Sequence, residues 1–121
     1  MPCVNAPIIA ASGSYNQPDT GAANGGSLSA TTIFTPAAAG IFRVSVYVTI
    51  SNNGFADVVV NWADENHSNL SAGLNVSGTF GEQDFILHAA ASAIQVSTDA
   101  GANPNPTAAT YTLYWIVEQL A

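Results

Sequence analysis

The sequence predicts an all-β fold, an antiparallel β-sandwich or barrel of about seven to eight strands that spans residues 1–121 as a single domain. Three observations lead to this prediction. Apolar and polar residues alternate along several segments, turns rich in Gly, Pro and Asn separate those segments, and helical signals are nearly absent. The two Ala-rich runs, TPAAAG and HAAASA, are too short to form stable helices.

The first part of the chain carries the weakest strand signals. Apolar residues occur in VNAPIIA (4–10) and in SLSATTIFTP (27–36), but the stretch SGSYNQPDTGAANGGS (12–27) contains few. A long polar stretch without periodicity is typical of a loop or an arm. We therefore expect residues 1–32 to include an extended N-terminal arm or a long loop of the sandwich.

The strongest alternation lies in the middle of the chain. In GIFRVSVYVTI every second residue is apolar, and FADVVVNW repeats this pattern, so each segment is predicted to be a half-buried strand. The inward-facing residues are Phe42, Val44, Val46, Val48, Ile50, Ala56, Val58, Val60 and Trp62. Because Asn53-Gly54 suits the positive φ angles of a tight turn, residues 41–62 are predicted to pair as a hairpin.

Shorter segments continue the pattern after a polar loop. A weaker strand is predicted around Leu74 and Val76. Further inward-facing residues are expected in TFGEQDFILHAA and SAIQVST, namely Phe85, Leu87, Ile94 and Val96. The turn-rich stretch DAGANPNP then leads into the last strand.

The last strand, TYTLYWIVEQLA, is apolar on both faces. The period of two directs one set of side chains to the core: Tyr111, Leu113, Trp115 and Val117. The opposite face presents Tyr114 and Ile116, which Tyr47 and Ile41 are expected to join. If this face meets another copy of the chain, these four residues form a subunit interface. The alternative is that the N-terminal segment covers the face within the same chain.

The composition restricts the classes of partner and compartment. Only 7% of the residues are charged, the net charge is −7, and Arg43 is the only Lys or Arg residue. Nucleic acids and anionic membranes need clusters of basic residues, so neither is a predicted partner.

The single cysteine, Cys3, is expected to be a free thiol, with a bridge between chains as the alternative. MPCVNAPIIAASGS resembles no secretory signal, so we expect a soluble protein made in a cytoplasm.

Metal sites are considered at two places and predicted at neither. The loop sequence DENH (64–67) is rich in oxygen and nitrogen ligands, but it lacks the spacing of a calcium-binding EF-hand loop. A zinc site would need His67 and His88 to recruit Cys3 or a carboxylate from distant parts of the chain. We therefore expect no metal and no cofactor.

Catalytic and sugar-binding signals are also weak. The chain has no G-x-S-x-G motif. Glu82 and Asp84, two residues apart on one strand face, are expected to line a solvent face or a polar seam rather than to act as a glycosidase pair. No catalytic residue is predicted, and the protein is not expected to be an enzyme. Trp62 and Trp115 are expected in the core, although exposed aromatic rings could instead form a platform for a sugar.

Four segments carry a resemblance to a known group of proteins: FTPAAAGIFRVSVYVTIS, VNWAD, AIQVST and YTLYWIVEQL. Over residues 33–120 the chain resembles small jelly-roll virion proteins of tailed bacteriophages. The resemblance implies a virion component, often a homotrimer, that is made in the host cytoplasm and contacts major capsid or tail proteins. It leads us to expect a non-enzymatic capsid decoration protein, or alternatively a receptor- or glycan-binding head module of a tail fibre.

Overall fold

The structure, a computed structural model, describes residues 7–17, 27–51, 54–102 and 110–121. These residues form two antiparallel four-stranded sheets and no helix. The strands are β1 (Ile8–Gln17), β2 (Thr31–Phe34), β3 (Gly40–Ile50), β4 (Gly54–Trp62), β5 (Leu70–Ser77), β6 (Phe80–Ala89), β7 (Ile94–Ala102) and β8 (Tyr111–Gln119). Sheet A has the order β1-β8-β3-β6 and sheet B the order β2-β7-β4-β5. The predicted jelly-roll-like sandwich is confirmed.

The core fills the space between the two sheets, and the alternation of the sequence explains which side chains enter it. Every second residue of β3 is buried, and the residues between them face outward. β-branched residues dominate because they suit a pleated, half-buried surface. The buried apolar residues are Phe42, Val44, Val46, Val48, Ile50, Ala56, Val58, Val60, Val76, Phe85, Leu87, Ala89, Ile94, Val96, Ala100, Tyr111, Leu113 and Val117. Trp62, Leu74 and Trp115 are partly buried and pack against this core.

The predicted hairpin over residues 41–62 is wrong, because β3 and β4 belong to different sheets. β3 pairs with β6 and β8, whereas β4 pairs with β5 and β7. The two strands bury their apolar faces on opposite sides of the same core. Alternation predicts one buried face for each strand, but face-to-face packing satisfies that requirement as well as side-by-side pairing does. Residues 52–53, which include half of the predicted Asn-Gly turn, lie outside the described residues.

The prediction of a loop or arm at residues 12–27 is wrong for residues 12–17, which form the second half of β1. β1 pairs with β8 from Ile8, opposite Gln119, to Gln17, opposite Tyr111. As an edge strand it is held by hydrogen bonds to β8, which small and polar residues can make as well as apolar ones. Residues 18–26 lie outside the described residues.

One small residue of β1 has a packing role. A Cβ atom at Gly13 would lie 2.5 Å from Cζ2 of Trp115, its partner on β8. Because real Cβ contacts are never that short, glycine allows the indole ring to lie directly against the edge strand. The partly buried position of Trp115 therefore depends on the absence of a side chain at residue 13.

Hydrogen bonds join the two sheets inside the core. Thr98 Oγ1 on β7 lies 2.7 Å from the hydroxyl oxygen of Tyr111 on β8. Leu28 N donates to the same Thr98 Oγ1 at 2.7 Å, and Thr98 N donates to Leu28 O at 3.0 Å. Thr98 thus attaches both sheet A and the segment before β2 to the centre of sheet B.

Candidate contact face on sheet A

The outward side of sheet A carries a set of exposed apolar side chains, which we call the outer face of sheet A. The four residues predicted as a subunit interface lie on it: Ile41, Tyr47, Tyr114 and Ile116. Their neighbours on β6 are Phe80 and Ile86, both more than half exposed. The structure therefore places the four predicted residues together on one exposed surface.

Strand register brings the aromatic residues of this face into one cluster. Tyr47 on β3 is directly opposite Tyr114 on β8, and the two ring centroids are 6.2 Å apart. On its other side Tyr47 stacks on Phe80, with a centroid distance of 6.0 Å and an interplanar angle of 19°. Aromatic pairs at these distances attract each other. The three rings therefore form an ordered aromatic surface that is in contact with solvent.

A depression lies beside this aromatic cluster because Ser45 is small. The residues around Ser45 are larger: Ile116 and Asp84 are its direct partners on β8 and β6, and Tyr47 follows two residues later. The depression has a volume of about 140 Å³ and is also lined by Tyr114 and Glu82. It combines two phenol rings with two carboxylates.

The polar seam predicted at Glu82 and Asp84 is part of this depression. Both side chains are exposed, and each faces a residue of β3 across the strand pair: Glu82 faces Tyr47, and Asp84 faces Ser45. Arg43 lies two residues before Ser45 on the same face of β3. Its Nη1 is 3.4 Å from Oε1 of Glu118 on β8, so within the chain it pairs away from the depression.

The N-terminal strands do not cover the outer face of sheet A. β1 lies beside β8 at the edge of the same sheet, and β2 belongs to sheet B. Tyr114 consequently remains 47% exposed, although β8 is flanked by strands on both sides. Within the residues that the structure describes, the alternative that residues 4–34 shield this face is not realised.

A second depression lies at one end of sheet B. It has a volume of about 240 Å³ and is lined by Trp62 together with amide and hydroxyl side chains, which include Asn61, Asn69, Gln95 and Ser68. Trp62 packs against the core, as expected from the sequence, but it also borders this depression. The lining contains no charged residue.

The loop considered for calcium is ordered by its own hydrogen bonds. Oδ1 of Asp64 accepts from the backbone N of Asn66 at 2.8 Å and of His67 at 2.7 Å, and Nδ1 of His67 lies 3.0 Å from the same oxygen. These contacts, the Asn66 N–H first, hold the pKa of Asp64 below its usual value. Glu65 pairs instead with His88, Oε1 to Nε2, at 3.0 Å.

Metal ligation finds no support in this geometry. The described residues contain no group of three or more His, Cys, Asp or Glu side chains that could hold a metal ion. Cys3, proposed above as a possible third zinc ligand, lies outside them. The same residues include no helix of the length and apolarity needed to span a bilayer.

Sequence reasoning missed three residues of the outer face of sheet A. Phe80 and Ile86 occupy the outward positions of β6, and their alternation with Phe85 and Leu87 was a usable signal. The role of Ser45 had no local signal, because the depression depends on which residues of β6 and β8 lie opposite it.

Comparisons with known proteins leave the function open. The sequence matches no model of a known protein family, and it matches no functionally curated protein. The functional argument therefore rests on the fold, the two depressions and the outer face of sheet A.

Proposed function

We propose that this protein is a non-enzymatic structural component of a bacteriophage virion, a capsid decoration protein that acts as an oligomer. The observation that carries the proposal is the outer face of sheet A, where the aromatic and aliphatic side chains of three adjacent strands are exposed together. A contiguous exposed apolar surface on a water-soluble domain is typical of a contact with another protein. The resemblance to small jelly-roll virion proteins supplies the biological setting.

The composition supports the same proposal. With 7% charged residues, most of the surface is uncharged and suits extensive contacts, and the apolar contact must outweigh the repulsion between copies that each carry a net charge of −7. A homotrimer, expected from the resemblance, would bury Tyr47, Tyr114 and Ile116 against neighbouring copies. The remaining surface, rich in Ser, Thr and Asn, would be available to major capsid or tail proteins.

The test of self-association compares two exposed apolar residues on opposite sides of the sandwich. Ile116 on sheet A and Phe55 on sheet B are 40% and 39% exposed, so aspartate at either position should leave the core intact. We expect wild type and Phe55→Asp to be oligomers by light scattering at micromolar concentration. Ile116→Asp should have the 12.4 kDa mass of one chain, with cooperative thermal unfolding retained. A monomeric wild type, or an oligomeric Ile116→Asp, would refute the self-association.

The place of the protein in the particle is a separate measurement. Quantitative mass spectrometry of purified virions should find hundreds of copies if the protein decorates the capsid. A few copies, located at the tail by electron microscopy, would instead indicate a recognition module.

A second function is favoured by one observation, the uncharged polar depression beside Trp62. An aromatic ring with neighbouring amides and hydroxyls is a combination that binds sugar rings, which suits a receptor- or glycan-binding head of a tail fibre. Tryptophan fluorescence during titration with host surface glycans tests this function. Gln95→Ala and Asn61→Ala should abolish a genuine response, whereas Ile116→Asp should leave it unchanged.

A further inference from the structure

The depression on the outer face of sheet A contains two carboxylates without a cation. Glu82 and Asp84 both line it. The three ion pairs found among the described residues all involve other carboxylates. In the single chain this arrangement costs little, because both side chains are exposed to water.

Self-association through this face would change the energetics. Covering Tyr47 and Tyr114 with another copy would also remove water from Glu82 and Asp84. A carboxylate that loses its hydration without gaining a partner opposes association strongly. An oligomer built on this face therefore needs a cation at the depression.

The chain has one side chain that can supply this cation. Arg43 is its only Lys or Arg residue, and both histidines already lie against carboxylates, His67 against Asp64 and His88 against Glu65. Arg43 also lies on the correct face, two residues from Ser45 and thus roughly 7 Å along the strand. Each copy of a homo-oligomer consequently carries its only guanidinium beside the depression that lacks a cation.

We propose that Arg43 of one copy enters the depression of a second copy and pairs with Glu82 and Asp84 there. This inference rests on the self-association proposed above and names the residue that the second copy contributes. The guanidinium is planar, has five N–H donors and stacks well on aromatic rings, so the phenol rings of Tyr47 and Tyr114 suit it as well as the carboxylates do.

The pairing fits the contact that Arg43 makes in the single chain. Among the described residues it makes one long polar side-chain contact, with Glu118 at 3.4 Å, which leaves most of its donors free to reach the second copy. Each copy gives one arginine and receives one, either in a closed pair or around a ring of three. The arginine contact therefore determines which surface of the second copy is bound and in which orientation, whereas the apolar residues around it contribute buried area.

A charge-exchange experiment tests the pairing. Arg43→Glu should weaken self-association at least about 30-fold, because the introduced carboxylate meets two others. The double variant Glu82→Arg with Asp84→Arg should be weakened to a similar extent, since it places two guanidinium groups opposite Arg43. Mixing the two variants in equal amounts should restore association between unlike chains, because opposite charges meet at those contacts. Restoration should be full in a closed pair and partial in a ring of three, which must contain one contact between like chains. Dissociation constants would be measured by analytical ultracentrifugation, with thermal melting to confirm that each variant folds.

The matched control is Glu118→Gln. It removes the same ion pair within the chain as Arg43→Glu does, but it keeps the arginine, so association should change less than about threefold. If Ile116→Asp dissociates the oligomer while Arg43→Glu does not, the arginine pairing is refuted and the contact face stands. If the two charge variants fail to associate when mixed, the pairing is refuted as well. A monomeric wild type would refute both the contact and the pairing.

Discussion

The outer faces of the two sheets differ in the residues that they present to solvent. Nine large apolar side chains are exposed in the described residues: seven lie on the outer face of sheet A, Ile8 lies at the end of its edge strand β1, and Phe55 lies on sheet B. Apart from Phe55 and the half-buried Val59, the outward positions of strands β4, β5 and β7 carry small or polar residues, such as Ser71, Asn75 and Gln95. Both sheets bury valine-rich inner faces, so the fold does not account for this difference.

The comparison of the two sheets shows which apolar residues folding requires and which it does not. A sandwich strand needs one apolar face, and sheet B shows that polar residues suffice on the other. Sheet A keeps isoleucine and aromatic residues where folding does not need them. Such a surface tends to associate in water, and we therefore attribute it to contact with other molecules.

The largest expected effect comes from placing a negative charge on the inner face of β8. Leu113 is fully buried and its neighbour Tyr114 is exposed. Leu113→Asp would bury a carboxylate without a partner, which costs several kcal/mol, a large part of the roughly 5–15 kcal/mol that stabilises a typical domain. We expect this variant to lose its β-sheet circular dichroism signal and its cooperative melting transition.

Tyr114→Asp is the matched control for that prediction. It adds the same charge to the same strand, but on the outer face of sheet A, and we expect it to fold and to associate poorly. A folded Leu113→Asp would contradict the assignment of inner and outer faces on β8.

How far the sequence predicts these faces depends on how local the signal is. Alternation within β3 and β4 correctly identified the inward residues, because the period of two is a property of one strand. The pairing of strands, in contrast, depends on residues that are far apart in the sequence. Only β4 and β5 are neighbours both in the sequence and in a sheet, and for this reason the hairpin at 41–62 was predicted wrongly.

The same reasoning applies to the site. The exposure of Tyr114 and Ile116 followed from alternation in β8 alone. The depression at Ser45 could not be predicted, because it needs the register of β3 with β6 and β8 at once. Residues 12–17 of β1 were assigned to a loop or arm because their strand character comes from hydrogen bonds to β8 rather than from apolar side chains.

A smaller effect is expected where the inner faces of the two sheets are joined. Thr98→Val keeps the shape of the side chain but removes the hydroxyl that accepts from Leu28 N and lies 2.7 Å from the Tyr111 hydroxyl. The lost buried hydrogen bonds should reduce the free energy of unfolding by about 1–3 kcal/mol. Chemical denaturation measures this loss.

Ser97→Ala provides the comparison on the outer side of the same strand. It removes a hydroxyl that points away from the core, so its effect should stay within about 0.5 kcal/mol. Equal losses in the two variants would mean that Thr98 does not link the sheets.

The smallest effect concerns a loop that belongs to neither outer face. Hydrogen bonds from Asn66 N, the His67 imidazole and His67 N lower the pKa of Asp64 from its usual 3.8, so the carboxylate is favoured in the folded state. A lowered pKa stabilises the fold above the unfolded value and loses that contribution as the pH falls through the folded value. Asp64→Asn should therefore be less stable than wild type at neutral pH, and the difference in melting temperature should shrink below pH 3.8. Wild type and Asp64→Asn should both be compared in an Ile116→Asp background, so that association does not enter the comparison. His67→Gln is the control, because it removes the imidazole 3.0 Å from the carboxylate and keeps both backbone donors. If the backbone N–H groups dominate, His67→Gln should retain most of the acid-dependent loss of stability that Asp64→Asn removes. A His67→Gln variant whose melting temperature falls in acid no more than that of Asp64→Asn would assign the effect to the imidazole instead.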